Sequence, residues 1–195
     1  MSDQAPNLVV AFGGVSPEHE VSVLTAIQVM SALSDSMYQI RPLYIGKSGQ
    51  WFTGDQLKEL ENYRDLQALT SHVDPCYFNR DELGRSVLEV PKKGLFGKVT
   101  QHPIYAVVLA FHGGSGENGA FQGVCEQYNV PYTGSGVLAS SLGMDKVKAK
   151  QLCEANQIPV TASLSFYEED WEQHHQTIMD EVEQLGYPVI VKPSS

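Results

Sequence analysis

Five ionisable side chains in this sequence stand where chemistry could use them: Glu18, His112, Glu117, Lys146 and Lys192. Glu18 follows the pair Gly13-Gly14 and opens an apolar helical pattern. Its carboxylate either leans on the positive end of a helix or faces a crevice and holds a ligand ammonium group. His112 closes the apolar run Tyr105-Ala-Val-Val-Leu-Ala-Phe-His112 beside a glycine turn, which makes it a candidate substrate contact. Glu117 lies within that turn, Gly113-Gly-Ser-Gly-Glu-Asn-Gly119, and is better suited to bracing it by accepting backbone N–H groups. Lys192 ends the apolar run Pro188-Val-Ile-Val, where an unpaired ammonium is costly unless an anion meets it. Lys146 opens a helical pattern against the helix dipole, and its bland alternative is a solvated surface charge.

The elements that must position these groups are legible from periodicity. Asn7–Phe12 reads as a buried strand ended by Gly13-Gly14. Ser16 is a plausible helix N-cap, with Pro17 suited to the first helical position and Val23, Ile27, Met30 and Leu33 forming a buried face. Tyr38–Ile45 is a second strand, so the start of the chain is a βαβ unit with an expected right-handed crossover. The run Tyr105–His112 is apolar on both faces, as a parallel strand covered on two sides would be. The five glycines or serines in residues 113–119 let the backbone turn sharply, and a strand ending so puts its carboxyl end at a ligand crevice.

Residues 49–104 are least informative. A strand at Trp51-Phe52, a helix over Gln56–Leu69 and a hairpin of Ser86–Val90 with Lys98–Thr100 are expected as an elaboration of the first domain. Further on, Asp145 caps a helix to about Glu154, Thr161–Phe166 alternates like a strand, and Trp171, Ile178, Val182 and Leu185 make a helical stripe ending at Gly186. Pro188–Lys192 is expected to be another buried strand. The turn-rich run Pro131–Gly136 suggests a domain change, giving domains over 1–133 and 134–195.

Composition excludes some classes. Thirteen Lys and Arg against 23 Asp and Glu leave a net charge of −10, which disfavours generic binding to nucleic acid or anionic membrane. No apolar run reaches the roughly 20 residues of a membrane span, and no secretory signal is visible. Cys76, Cys125 and Cys153 lack metal spacing and cannot all pair, which fits a reduced cytoplasmic protein. Two nucleotide motifs are rejected. Gly114-x-Gly116-x-x-Gly119 lacks the acidic residue about 20 positions on that a dinucleotide site needs. Gly46-Lys47-Ser48 has Arg41 where a phosphate loop needs glycine, so it is a surface turn.

Three separated blocks carry a resemblance. They are Phe12-Gly-Gly-Val-Ser-Pro-Glu18-His-Glu-Val-Ser22, the stretch from His112-Gly-x-x-Gly116-Glu-x-Gly119 through Gln122-Gly123 and Pro131-Tyr-Thr-Gly134-Ser-Gly136 to Met144-Asp-Lys146, and Gly186-Tyr-Pro-Val-Ile-Val-Lys192-Pro-Ser. In this order they resemble the D-alanine–D-alanine ligases, ATP-grasp enzymes that make a dipeptide for the bacterial cell wall. Asn118 departs from the family, which usually has Asp there. The resemblance implies an α/β protein with a βαβ-based N-terminal, pre-ATP-grasp domain and an incomplete ATP-grasp domain. It implies that Glu18 is the catalytic-site carboxylate that binds the first D-alanine near its amino group, with Val21, Ser22 and His112 lining the same pocket. His19 is read as structural or exposed, and Gln122 and Tyr132 as structural.

By the same resemblance Lys146 and Lys192 bind ATP phosphates, Mg²⁺ is required, and the protein is a cytoplasmic homodimer. The metal ligands and a transition-state arginine are expected outside these 195 residues, with none in this chain. The chain is therefore expected to be the first part of a ligase of about twice this length, inactive alone. Rival readings are a D-alanyl-D-lactate or D-alanyl-D-serine ligase and, from another class, a non-catalytic ligand-binding module.

Overall fold

A computed structural model describes residues 5–91, 94 and 97–194. They form two compact units, Met1–Ser141 and Leu142–Ser195.

In the first unit the chain runs β1 (Asn7–Gly13), α1 (His19–Ala32), β2 (Gln39–Ile45) and β3 (Trp51–Thr53). Two 3-10 turns follow, at Asp55–Lys58 and Leu60–Arg64, then α2 (Leu66–His72), β4 (Asp74–Pro75), β5 (Tyr77–Arg80), β6 (Ser86–Val90) and β7 (Thr100–Leu109). A third 3-10 turn, Gly114–Gly116, leads into α3 (Ala120–Gln127).

The seven strands make one sheet in the order β4-β3-β2-β1-β7-β6-β5. β1 pairs in parallel with β2, Asn7 opposite Gln39 through Gly13 opposite Ile45, and in parallel with β7 on its other side. The flanking pairs are antiparallel.

Alternation along β1 divides the core. Val9 and Ala11 join Leu43, Ile45, Val107, Phe121 and Cys125 on the face covered by α3. Val10 and Phe12 join Tyr44 and the α1 residues Val23, Ala26 and Met30 on the other face, with Leu57, Leu69 and Val73 beyond. Burying each of these larger side chains contributes about 1.5–3 kcal/mol. The helix after β1 and the helix after β7 thus lie on opposite faces, so the chain diverges at the carboxyl ends of these two neighbouring strands. A crevice at that switch point is what such topology creates.

The elaboration differs from expectation in two ways. The Gln56–Leu69 helix is instead two 3-10 turns and α2, because Asp65 Oδ1 accepts from Gln67 N at 3.0 Å and Ala68 N at 2.9 Å and starts a new helix there. Of the hairpin strand expected at Lys98–Thr100 only Thr100 is in a strand, and Ser86–Val90 pairs instead with Thr100–Pro103, which continues into the apolar run from Tyr105 as one β7. Its β6 ladder ends at Pro103 and its β1 ladder begins at Ile104. The turn expected over 91–97 lies partly outside the described residues. β7 is also less covered than a doubly buried strand: Tyr105 is 55 % exposed and leans on Tyr38, with ring centroids 5.4 Å apart.

In the second unit Asp145 Oδ1 accepts from Val147 N at 3.0 Å and Lys148 N at 2.9 Å, capping α5 (Lys146–Ala155). It follows α4 (Val137–Met144) and precedes α6 (Glu168–Leu185), which buries Ile178 and ends at Gly186. The two strands expected at Thr161–Phe166 and Pro188–Lys192 do not form among the described residues. Ile190 and Val191 are 82 % and 87 % exposed. A strand needs a neighbouring backbone to accept its hydrogen bonds, and no described segment of this unit offers a ladder.

Candidate functional site

The crevice is built from the loop after β1 and the loop after β7. Ser22, on the first turn of α1, joins their roots: Gly13 N donates to its Oγ at 2.7 Å, and its hydroxyl donates to Ala110 O at 2.8 Å. His19 is fully buried, with Nδ1 2.7 Å from Gly14 O and Nε2 3.0 Å from the Tyr44 hydroxyl. Burial and the charge of Glu20 push the Tyr44 hydroxyl up to about 12, so it stays a neutral partner for that ring. Of the two sequence readings of His19, structural or exposed, the buried position fits the first.

Ser16 ties the two loops together at the rim. Its hydroxyl donates to His112 O at 2.9 Å and accepts from Glu18 N at 3.1 Å. Ser16 thus braces the turn before α1, and the helix begins two residues later than the capping pattern suggested, with Glu18 at the N-cap position. The Glu18 carboxylate lies over Gly113: a Cβ there would overlap Glu18 Oε2 and come within 2.8 Å of Ser16 Oγ. Gly113 also has φ +67°, so only glycine meets both demands. Its N–H donates to Glu117 Oε2 at 2.7 Å, the bracing role expected of Glu117.

Behind the turn, Gln122 Nε2 donates to Gly116 O at 3.1 Å from a buried position. Gly116 packs so tightly on Phe111 that a Cβ would overlap the ring. Asn118 Oδ1 accepts from Ala120 N at 3.1 Å, so the amide serves the start of α3 with an acceptor that a carboxylate would also supply.

The structure brings Glu18 and the His112-Gly113 backbone to one rim and leaves Val21 beside them, 48 % exposed on α1. Ser22 departs from the expectation that it lines the pocket. It has no exposed surface, because both its hydrogen bonds run inward to backbone, and it locks the crevice walls instead. One contact had no sequence signal: Thr25 Oγ1 lies 2.8 Å from His112 Nε2, across 87 residues.

In the second unit Lys146 and the segment after Lys192 are close. Lys146 N donates to Ser194 O at 2.8 Å, and Lys146 Nζ is 3.4 Å from the same oxygen. Lys192 is exposed rather than set in a buried strand. Among the described residues no three His, Cys, Asp or Glu side chains are grouped to hold a metal ion, so the residues present do not fit Mg²⁺.

The two divergent loops place a carboxylate and a histidine at the carboxyl ends of neighbouring parallel strands, the place where ligands bind in open α/β sheets. Residues 7–135 match the family model described as the N-terminus of D-ala D-ala ligase, and the chain belongs to that family. It is 36% identical over 191 residues to the D-alanine–D-alanine ligase of Thermosipho melanesiensis, covering 96% of this chain and 49% of that protein. The chain thus spans about half the length of the curated relatives it matches.

Solved structures agree. The D-alanine–D-alanine ligase from Coxiella burnetii superposes with a TM-score of 0.73 at 25% identity over 93% of this chain and 50% of that one. The VanG D-Ala:D-Ser ligase from Enterococcus faecalis gives 0.71 at 28% identity over 98% and 52%.

Proposed function

We propose that this chain supplies the first-substrate half of an ATP-dependent ligase that joins two D-alanines for peptidoglycan precursor synthesis. In that reaction a carboxylate oxygen of the first D-alanine takes the terminal phosphoryl group of ATP, and ADP leaves. The amine of the second D-alanine then attacks the acyl carbon, loses a proton, and phosphate departs. The observation that carries the reading is the Glu18 carboxylate held over Gly113 at the mouth between β1 and β7.

In this reading Glu18 accepts hydrogen bonds from the first D-alanine's ammonium group, which anchors the zwitterion and leaves its carboxylate free to react. Val21 offers an apolar wall, His112 contacts the substrate beside Glu18, and Ser22 fixes the spacing of the two loops. Lys146 and Lys192 take ATP phosphates as flexible point charges. We assign residues 1–133 to the substrate domain and 134–195 to the opening of the ATP-grasp domain, within a cytoplasmic homodimer. The likeness to the VanG D-Ala:D-Ser ligase favours one second reading, in which the second substrate is D-serine rather than D-alanine.

The test is a titration of the 195-residue chain with D-alanine, followed by NMR, on wild type and Glu18→Gln. Saturable shifts at Glu18 and Gly113 that weaken about tenfold in the variant support the reading, since a charge-assisted bond is lost. No saturable D-alanine response in the wild type would sink it.

A further inference from the structure

At the opposite end of the parallel strands from the crevice lies a basin of about 630 Å³. The amino-terminal residues of β2, the end of β3 and the start of β7 form its walls, and its charged lining is Arg41, Asp55, Lys58, Asp74 and His102. In a chain of net charge −10, two cations, Arg41 and Lys58, here balance the two carboxylates Asp55 and Asp74, so the concavity does not share the chain's acidic excess.

Arg41 is held in place rather than waving in solvent. Its Nε donates to Asn7 Oδ1 at 2.6 Å, and the other end of that amide, Asn7 Nδ2, donates to Pro103 O at 2.9 Å. Asn7 therefore spans from β2 to β7 across the first residue of β1 and fixes the plane of the guanidinium. That single bond engages only one of five N–H donors. No carboxylate lies within ion-pair distance of Arg41 among the described residues.

Asp55, the nearest candidate, is taken by Lys58: Nζ lies 2.7 Å from its Oδ1. The groups nonetheless feel one another. Burial holds the Arg41 guanidinium below its usual range and the charge of Asp55 opposes this. Burial, and then the positive charge of Arg41, hold the His102 ring below the usual histidine range. His102 and Arg41 thus face one space, in which a half-buried guanidinium has no carboxylate in direct contact among the described residues.

We propose that this basin binds a small oxyanion, a phosphate or a carboxylate, on the fixed guanidinium of Arg41 with the His102 ring beside it. A planar guanidinium with its fork pre-set by Asn7 matches two oxygens of either group and loses little rotamer freedom on binding. Lys58 and Asp55 form the rim as a neutral pair. Asp74 is also on the lining. This site is independent of the D-alanine reading and lies on the other end of the sheet from Glu18.

The experiment is a titration of the 195-residue chain with sodium phosphate and, separately, sodium acetate at constant ionic strength, read by the His102 ring resonances. A saturable shift with either anion is expected, and the anion that saturates at lower concentration identifies the group recognised. Arg41→Gln should weaken that binding about tenfold or more, while Glu18→Gln should leave it unchanged. A wild-type response that stays linear or absent with both anions overturns the proposal without any variant. So does binding that survives Arg41→Gln in a chain that keeps its native NMR spectrum.

Discussion

Thr25 Oγ1 lies 2.8 Å from His112 Nε2, so the second turn of α1 holds a ring near the start of the loop after β7. His112 O accepts from Ser16 at the same time, which pins its backbone as well as its ring. Removing the hydroxyl should free the imidazole while leaving the fold intact. Thr25→Val is expected to weaken D-alanine binding about two- to tenfold, the worth of a part-buried hydrogen bond of roughly 0.5–1.5 kcal/mol, and Thr25→Ser should restore it. Calorimetric titration of the three chains checks this. Equal affinities would show that the contact does not position His112 for ligand.

Gly113→Ala meets two obstacles at once. The new Cβ would overlap Glu18 Oε2, and a side chain at φ +67° is strained. The expected loss is about 1–3 kcal/mol in urea unfolding, together with a displaced Glu18 and lost D-alanine response. Gly84, at φ +75° with nothing near its Cβ position, is the control: Gly84→Ala should cost only the backbone part and leave binding alone.

Ser22→Ala separates two ideas about one residue. If Ser22 locks the crevice walls, its loss leaves Gly13 N and Ala110 O unsatisfied and destabilises the chain by roughly 2–4 kcal/mol. A stability unchanged in urea, with binding alone impaired, would instead make it a ligand contact.

The thiols give a pH signature. Burial pushes Cys76 and Cys125 each up to about 12, whereas Cys153 is only half covered. At neutral pH an alkylating reagent should therefore modify Cys153 well before the other two. Between the ordinary thiol range near 9 and about 12, the native chain holds protons that the unfolded chain has released. The native state binds more protons there, so stability falls as pH rises through that window. Tyr44 and Tyr63, also raised by burial, act in the same direction. Urea unfolding at pH 8, 9 and 10 reads the slope, and a rise across that range contradicts the burial described.

Much of the first unit was legible because its signals are local and covered on both faces. β1, α1 and β2 announced themselves through the Val9–Phe12 run and the Val23 to Met30 spacing, and the glycine turn marked the crevice. The run of β7 was harder. His102-Pro103 looks like a break, since proline lacks a ladder donor, yet it falls where the strand changes partners.

The Thr25–His112 contact and the Asn7–Arg41 clamp join residues far apart in sequence, so no periodicity reveals them. Ser22 was placed near the right wall but facing the wrong way, because spacing tells a helix face and not which atoms its hydroxyl will meet. The apolar pattern of Pro188–Lys192 describes side chains, whereas a strand is made by a partner backbone.

The central claim is that Glu18 anchors the first D-alanine of a ligation driven by ATP. The most direct measurement is D-alanine-dependent phosphate release from ATP by the natural gene product, beside its Glu18→Gln variant. Release is expected only when D-alanine is present, with a KM for the first D-alanine raised about tenfold or more in the variant. Release without D-alanine, or a variant with unchanged kinetics, would contradict it.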